Sequence, residues 1–273
     1  MFQKNAGISP EHCSSPVKDI ALLILLTLSL SIMDRWKNNI SFILVETMET
    51  GNIGASARAL KNLGFSKLEL VRPGKFPSDE AGWFAHGAED VLSNIEVFPD
   101  LKSAMADKSV IIGTTRRIGK KRGQPYPVRK AAERIRELAV NNRIALLFGR
   151  ENRGLKNEET AECSFMINIP AAPENPSFNL AQAVLIVAYE LSYTSYTVNA
   201  PPGIISNADF LNLFQRLGNI MKMAGYEPKG IRDNEKEIMM DLKRLMSRAA
   251  MTEREAHMIH GIISQIEENL GKT

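Results

Sequence analysis

Sulfur and imidazole ligands are scarce in this chain. Two cysteines, Cys13 and Cys163, and four histidines are spread over 273 residues, none at metal-ligand spacing. That excludes a readable disulfide framework or zinc site, suits a reducing cytoplasm, and sets metal chemistry aside. An apolar run of bilayer length is also missing. "IALLILLTLSLSIM" extends only from Ile20 to Met33, short of the ~20 residues a spanning helix needs, so no membrane partner is expected. It has the length of a signal-peptide core, yet "DRWKNN" follows it in place of a small-x-small cleavage site. Three readings of residues 1–37 stand in this order: a mis-assigned start with Met33 as the true first residue, a disordered or weakly packed extension, and an export signal. Charge of one sign is not in excess either, at a net +3. Overall charge therefore names no partner, and its distribution must be read instead.

The standard nucleotide signatures are absent too. "TGNIGASARAL" (Thr50 to Leu60) follows the apolar run "ISFILVE", which is the outline of a nucleotide-binding turn. A dinucleotide turn needs a third glycine, and Ala57 stands in its place; no Gly-Lys-Ser/Thr completes a phosphate loop.

What the chain does have is alternation. Apolar strand-like runs at Ile40–Glu46, Lys67–Val71, Ser109–Thr115, Ile144–Gly149 and Phe165–Pro170 alternate with helical patterns, one of them from about Asn52 to Leu63. Continuous apolar strands separated by helices predict an α/β fold whose mostly parallel sheet is covered on both faces. A Pro- and Gly-punctuated linker, "TVNAPPGIISNAD", then leads into a wholly helical tail. Leu211, Phe214, Leu217 and Met221 recur there at helical spacing, and Thr252 with Glu255 forms a capping box. The organisation read from this is an extension at 1–37, an α/β domain at 38–197, and a linker with a small helical domain at 198–273.

Four stretches carry possible chemistry, each with a bland alternative. In the first, Ile53, Ala57 and Leu60 form the sheet-facing stripe, and Gly51, Gly54 and Arg58 share a neighbouring face. Two glycines beneath a guanidinium leave a hollow for a phosphate or sugar, unless Arg58 is merely solvated. "FGRENRGL" (Phe148 to Leu155) puts Gly149 at the carboxyl end of a strand, where open α/β sheets hold ligands, with Glu151 among Arg150 and Arg153. The competing reading is a polar cap with a salt bridge. "IPAAPENPSFNLAQAV" (Ile169 to Val184) is a proline-stiffened loop entering an apolar helix, with Ser177 as its cap. "TTRRIGKKRGQPYPVRK" (Thr114 to Lys130) holds seven basic residues and no acid. It reads as a solvated loop or a phosphate-backbone contact with Tyr126 free to stack on a base.

Together, "NIGASAR", "LFGRENRGL" and "INIPAAPENPSFNLAQAV" stand in the order and at roughly the spacing of the three motifs of the SpoU-type branch of SPOUT RNA methyltransferases. The chain resembles that family from about residue 38 to 270. Its helical tail is similar to that of the tRNA 2′-O-methyltransferases that modify nucleotide 32 of the anticodon loop. The resemblance implies a SPOUT-type parallel sheet with a C-terminal deep trefoil knot, S-adenosylmethionine as cofactor, tRNA as substrate and an obligate homodimer. It also implies a cofactor site at Thr114, Thr115, Arg116, Gly149, Ile169, Pro176, Ser177 and Phe178. The implied catalytic set is Asn52, Arg58, Glu151, Ser177 and Asn179. Pro176 and Phe178 depart from the family's Ser and Leu, so contacts there are expected to be main-chain.

By this analogy a methyl group passes from a sulfonium to a ribose 2′-hydroxyl. A guanidinium holds its proton at neutral pH, so Arg58 is assigned to orienting a phosphate and stabilising alkoxide charge, not to acting as base. Lys243, Arg244 and Arg248 in the tail are candidate RNA contacts or simply a solvated helix face. The rival readings are a related methyltransferase acting on ribosomal RNA, a nicotinamide-dependent oxidoreductase, which lacks its third glycine, and a non-catalytic RNA-binding protein.

Overall fold

The computed structural model describes residues 35–117, 124–193, 202–224 and 234–270. The expectations for residues 1–34, for the middle of the basic run and for the first part of the linker lie outside these residues. Seven strands form one sheet: β1 (Ile40–Val45), β2 (Leu68–Val71), β3 (Glu96–Phe98), β4 (Val110–Thr114), β5 (Tyr126–Pro127), β6 (Ile144–Phe148) and β7 (Phe165–Asn168). Their order is β3-β2-β1-β6-β4-β7-β5, and every pairing is parallel. Parallel strands need covering elements on both faces, which explains why their sequences are apolar runs without alternation. In β1, Phe42 and Leu44 enter one core, while Ile43 and Val45 enter the other.

The first core is closed by α1 (Thr50–Asn62), α5 (Val128–Ala139) and α7 (Leu180–Tyr193). Ile53, Ala57 and Leu60 of α1 are fully buried there, as the helical stripe predicts. On the other face, Ala104 and Met105 of α4 (Leu101–Met105) join Leu155 and Cys163, which flank the short α6 (Asn157–Ala161).

Two further short helices have no counterpart in the sequence reading: α2 (Asp79–Phe84) and α3 (Glu89–Ser93). Each buries a single side chain, Ala81 and Val91, so neither has a stripe that periodicity would detect. Helix α2 corrects the expectation of a ligand hollow beside Arg58. A Cβ placed on Gly54 would lie 2.1 Å from the Ala81 carbonyl oxygen and 2.9 Å from Phe84 Cβ, and one on Gly51 would lie 3.1 Å from the Phe84 ring. The glycines admit α2, and the space is filled by protein. The Ala81 carbonyl is backbone and cannot rotate aside, so Gly54→Ala forces α1 and α2 apart. We expect this substitution to cost about 1–3 kcal/mol, read as a lowered thermal midpoint. Gly51→Ala, facing only the side chains of Phe84 and Glu80, is expected to cost less.

Beyond the sheet lie α8 (Asn207–Met223), α9 (Asn234–Arg248) and α10 (Glu253–Leu270). The stripe on α8 is offset from the expected one: Phe210, Leu213 and Ile220 are buried, while Leu211 and Leu217 pack at its margin. Phe210 and Leu213 join Met251, Ala256 and Ile263 in a separate apolar cluster. The capping box is present, with Glu255 Oε2 accepting from the Thr252 amide and hydroxyl at 2.8 Å each, and Thr252 Oγ1 accepting from the Glu255 amide at 3.3 Å. Asn207 N donates to the Lys108 carbonyl at 2.7 Å, and Ile204 N donates to Asn142 Oδ1 at 2.7 Å, joining this region to the sheet's loops. Lys243 is not a free cation, because its ammonium is held by both carboxylate oxygens of Glu162 at 2.6 and 2.7 Å.

Candidate active site

Strands β4, β6 and β7 end side by side, and their carboxyl ends open into one cleft. Three loops build its walls. After β4, the Thr114 hydroxyl donates to the Leu147 carbonyl at 2.9 Å, and Thr115 N donates to the Ile167 carbonyl at 2.9 Å. These bonds fix the Thr114–Arg117 segment against both neighbouring strands. After β6, the chain curls back on itself through an Arg150–Gly154 bridge, with Gly154 in the left-handed region at φ 62°. Gly149 makes that curl possible: a Cβ there would lie 2.1 Å from both Gly154 C and Leu155 N. After β7, Ile169 and the segment Pro176–Phe178 close the third side.

Every residue nominated for the cofactor (Thr114, Thr115, Arg116, Gly149, Ile169, Pro176, Ser177 and Phe178) lines this single cleft. Glu151 lines it as well, alongside the apolar Phe148, Leu155 and Leu180. The cleft thus sets an apolar floor beneath a rim rich in polar and charged side chains, among them Arg116, Arg117, Arg153 and Glu151, a composition that fits a nucleoside bearing a charged tail.

Three nominated catalytic residues meet beside the cleft. Buried Asn52, on the first turn of α1, donates from Nδ2 to Glu151 Oε1 at 3.1 Å and to Glu49 Oε2 at 3.1 Å. Its Oδ1 accepts from Asn179 Nδ2 at 2.9 Å. Asn179 is itself the cap of α7, its Oδ1 accepting from the Ala181 amide at 2.9 Å and the Gln182 amide at 3.4 Å. The sequence pattern puts Ser177 in that role, but the helix begins at Leu180, which leaves Ser177 too far upstream and exposed at the cleft wall.

The charge partners also differ from expectation. Arg150 does not hold Glu151. Both lie in the curl beyond β6, where Arg150 turns inward to Glu46 and Glu159 while Glu151 faces the turn before α1. There the Met48 and Glu49 amides point at its carboxylate from 3.5 Å. Arg150 Nε donates to Glu46 Oε2 at 2.5 Å, and its terminal nitrogens grip Glu159 bidentately at 2.8 and 2.9 Å. The hydrogen bond from Arg150 pulls the Glu46 carboxyl down to about 2 against the opposing effect of burial, aided by the charges of Arg150, Arg72 and Lys156. Burial would raise Glu159, but the Arg150 hydrogen bond and the Lys156 amide outweigh it and hold Glu159 below the usual range. Sequence reasoning misses this network. Its one signal is a glutamate closing an otherwise apolar strand.

Arg58 stands apart. It is exposed, lines no part of the cleft, and has no hydrogen-bond or ion-pair partner among the described residues. Six positions beyond Asn52 on one helix, it lies roughly 9 Å further along the axis. Among the described residues no group of three or more metal-capable side chains occurs, and no helix is long and apolar enough to cross a membrane.

The geometry can be set beside known proteins. The model of the SpoU rRNA Methylase family matches residues 39–189. The chain is 35% identical over 241 residues to the tRNA (cytidine/uridine-2′-O-)-methyltransferase TrmJ of Sodalis glossinidius, covering 84% of this chain and 92% of that one. It is 34% identical over 248 residues to the protein of the same name from Citrobacter koseri, with coverages of 86% and 99%. Among solved structures, TrmJ from Z. mobilis ZM4 superposes with a TM-score of 0.72 at 32% identity, covering 83% of this chain and 98% of that one. The all-parallel sheet, the cleft at the ends of β4, β6 and β7, and these matches agree: the chain belongs to the SpoU methylase family and is a methyltransferase.

Proposed function

We propose that this enzyme methylates a ribose 2′-hydroxyl of tRNA, at nucleotide 32 of the anticodon loop, with S-adenosylmethionine as donor. The observation that carries this reading is the convergence of three loops on one cleft lined by all eight nominated cofactor residues. The likeness in sequence over most of the chain to proteins named tRNA (cytidine/uridine-2′-O-)-methyltransferase supports the substrate. The donor supplies an electrophilic methyl group on a sulfonium.

The protein's own contribution is alignment and charge. Gly149, Ile169 and the main chain of Pro176–Phe178 hold the nucleoside portion, and Thr114, Thr115 and Arg116 form the facing wall. The Asn52–Glu151–Asn179 hydrogen-bond chain fixes the start of α1 against the start of α7. Ser177, exposed at the wall, offers its hydroxyl to the reacting ribose. Arg58 orients the RNA phosphate and stabilises charge developing on the 2′-oxygen.

Arg58 lies outside the cleft of its own chain, and this supports a homodimer in which one protomer's arginine serves its partner's cleft. Exposed Leu185, Tyr189 and Tyr193 give α7 an apolar outer face suited to such a contact. Strands β6 and β7 each insert between strands that precede them in sequence, β6 beside β4 and β7 between β4 and β5. That order supports the family's trefoil knot. We read residues 38–197 as the catalytic domain and 198–273 as the linker and helical domain.

The test is incubation of the purified protein with methyl-labelled S-adenosylmethionine and either bulk tRNA or ribosomal RNA. Label in tRNA alone is expected. Label confined to ribosomal RNA would move the chain to the other substrate class, and binding of RNA without label would make it a non-catalytic binder.

A further inference from the structure

Glu46 is the first charged residue after β1, at the turn toward α1, and nothing assigned to the site so far uses it. It follows β1 directly, with φ at 51°. A side chain with a Cβ pays roughly 1–2 kcal/mol in that left-handed region, so neighbouring contacts must hold it there. Arg150 supplies them. Strands β1 and β6 are paired in register, Leu44 beside Phe148, so the two exits leave the sheet together. The Arg150 side chain is 9% exposed and meets Glu46 on one side and Glu159 on the other. Glu46 is also paired with Arg72 and, at 3.7 Å, with Lys156.

This anchoring bears on the residues just beyond Glu46. Within three positions the chain presents the Met48 and Glu49 amides to Glu151, and Asn52 then reaches Glu151 and Asn179. The direction in which the chain leaves Glu46 therefore sets where Asn52, and Arg58 further along the same helix, are aimed. We propose that the Glu46–Arg150 pair is a positioning device that registers the turn into α1 against the Gly149–Leu155 loop, so that the methyl-accepting side of the site is aligned with the cofactor cleft. Glu46 does not line the cleft and is a positioning residue, not a catalytic one. The inference rests on the methyl-transfer reading above.

Glu46→Gln keeps shape and removes charge, and leaves the Arg150–Glu159 grip on the cleft wall intact. The expected result is a fall of about tenfold or more in kcat for tRNA methylation, since small misalignments at a reacting centre are costly. Affinity for S-adenosylmethionine, measured by calorimetry on the protein alone, stays within about twofold of wild type. Glu46→Asp restores part of the rate. Arg72→Met, which removes an exposed partner of Glu46, leaves kcat unchanged. A wild-type kcat in Glu46→Gln overturns the proposal, as does a parallel loss of cofactor affinity and thermal stability, which would mean a general structural role. A second measurement stands independent of turnover: amide hydrogen exchange of the peptide spanning residues 46–58 is expected to quicken about tenfold in Glu46→Gln. Unchanged exchange there overturns the positioning device. A wild-type protein that methylates no RNA would overturn the functional reading instead, and the exchange measurement would still decide this one.

Discussion

Arg58→Ala is expected to keep affinity for S-adenosylmethionine within about threefold of wild type while methyl transfer falls about 10²–10³-fold, the usual loss for a donor aimed at developing charge. The reasoning is geometric. Arg58 is exposed on α1, lines no part of the cleft, and is held by no other group among the described residues. Its removal therefore leaves the cleft walls and the core beneath α1 as they are. An exposed arginine with no partner contributes little to stability, so the thermal midpoint should barely move. A large kinetic loss from so peripheral a residue is then attributable to the RNA side of the reaction. Equal loss of cofactor binding and turnover would give Arg58 a structural role. Mixing Arg58→Ala with a cofactor-binding variant should restore part of the activity if the two protomers share each site.

Gly149→Ala has the opposite expected profile. Its new methyl group would meet Gly154 C and Leu155 N at 2.1 Å and the Gly154 oxygen at 2.6 Å. All three are backbone atoms, so no side-chain rotation relieves the clash, and the loop must unfold its bridge to Arg150. The wall of the cleft moves with it. We expect cofactor affinity to fall by about 10²-fold or more, and stability to fall by about 1–3 kcal/mol as for other overpacked sites. Gly154→Ala is the control on the same loop. Nothing lies within 4 Å of its Cβ, so it carries only the backbone strain of φ 62°, on the order of 1 kcal/mol. Similar affinities for the two variants would mean that the loop tolerates opening, and the cleft would not depend on its closure.

How much of this is legible in the sequence depends on the kind of interaction involved. Strands such as Ile40–Val45 and Ile144–Phe148 are buried on both faces, so their apolar runs identify them and the parallel sheet directly. The α10 cap is legible because a capping box is local: Thr252 and Glu255 need only each other. The cleft wall proposed for the cofactor is legible only through the combined motifs, since Thr114, Gly149 and Phe178 come from three loops whose meeting no single stretch reveals. What stays hidden is non-local and specific in direction. Gly54 reads as clearing a hollow, because the partner that fills it, α2, has no stripe to announce it. Ser177 reads as a cap because the pattern starts α7 too early, and Asn179 performs that role. Arg150 reads as the partner of its neighbour Glu151. In the curl after β6 the two side chains part, and the partners of Arg150 are Glu46 and Glu159.

The landing site of the methyl group tests the central claim most directly. tRNA incubated with the wild-type protein and labelled S-adenosylmethionine can be hydrolysed with alkali, which cleaves beside a free 2′-hydroxyl and spares a methylated one. The account predicts label in an alkali-resistant dinucleotide whose 5′ residue is nucleotide 32, and mass spectrometry should place the added methyl on its ribose. Label recovered on a base, or released entirely as alkali-labile mononucleotides, would contradict it.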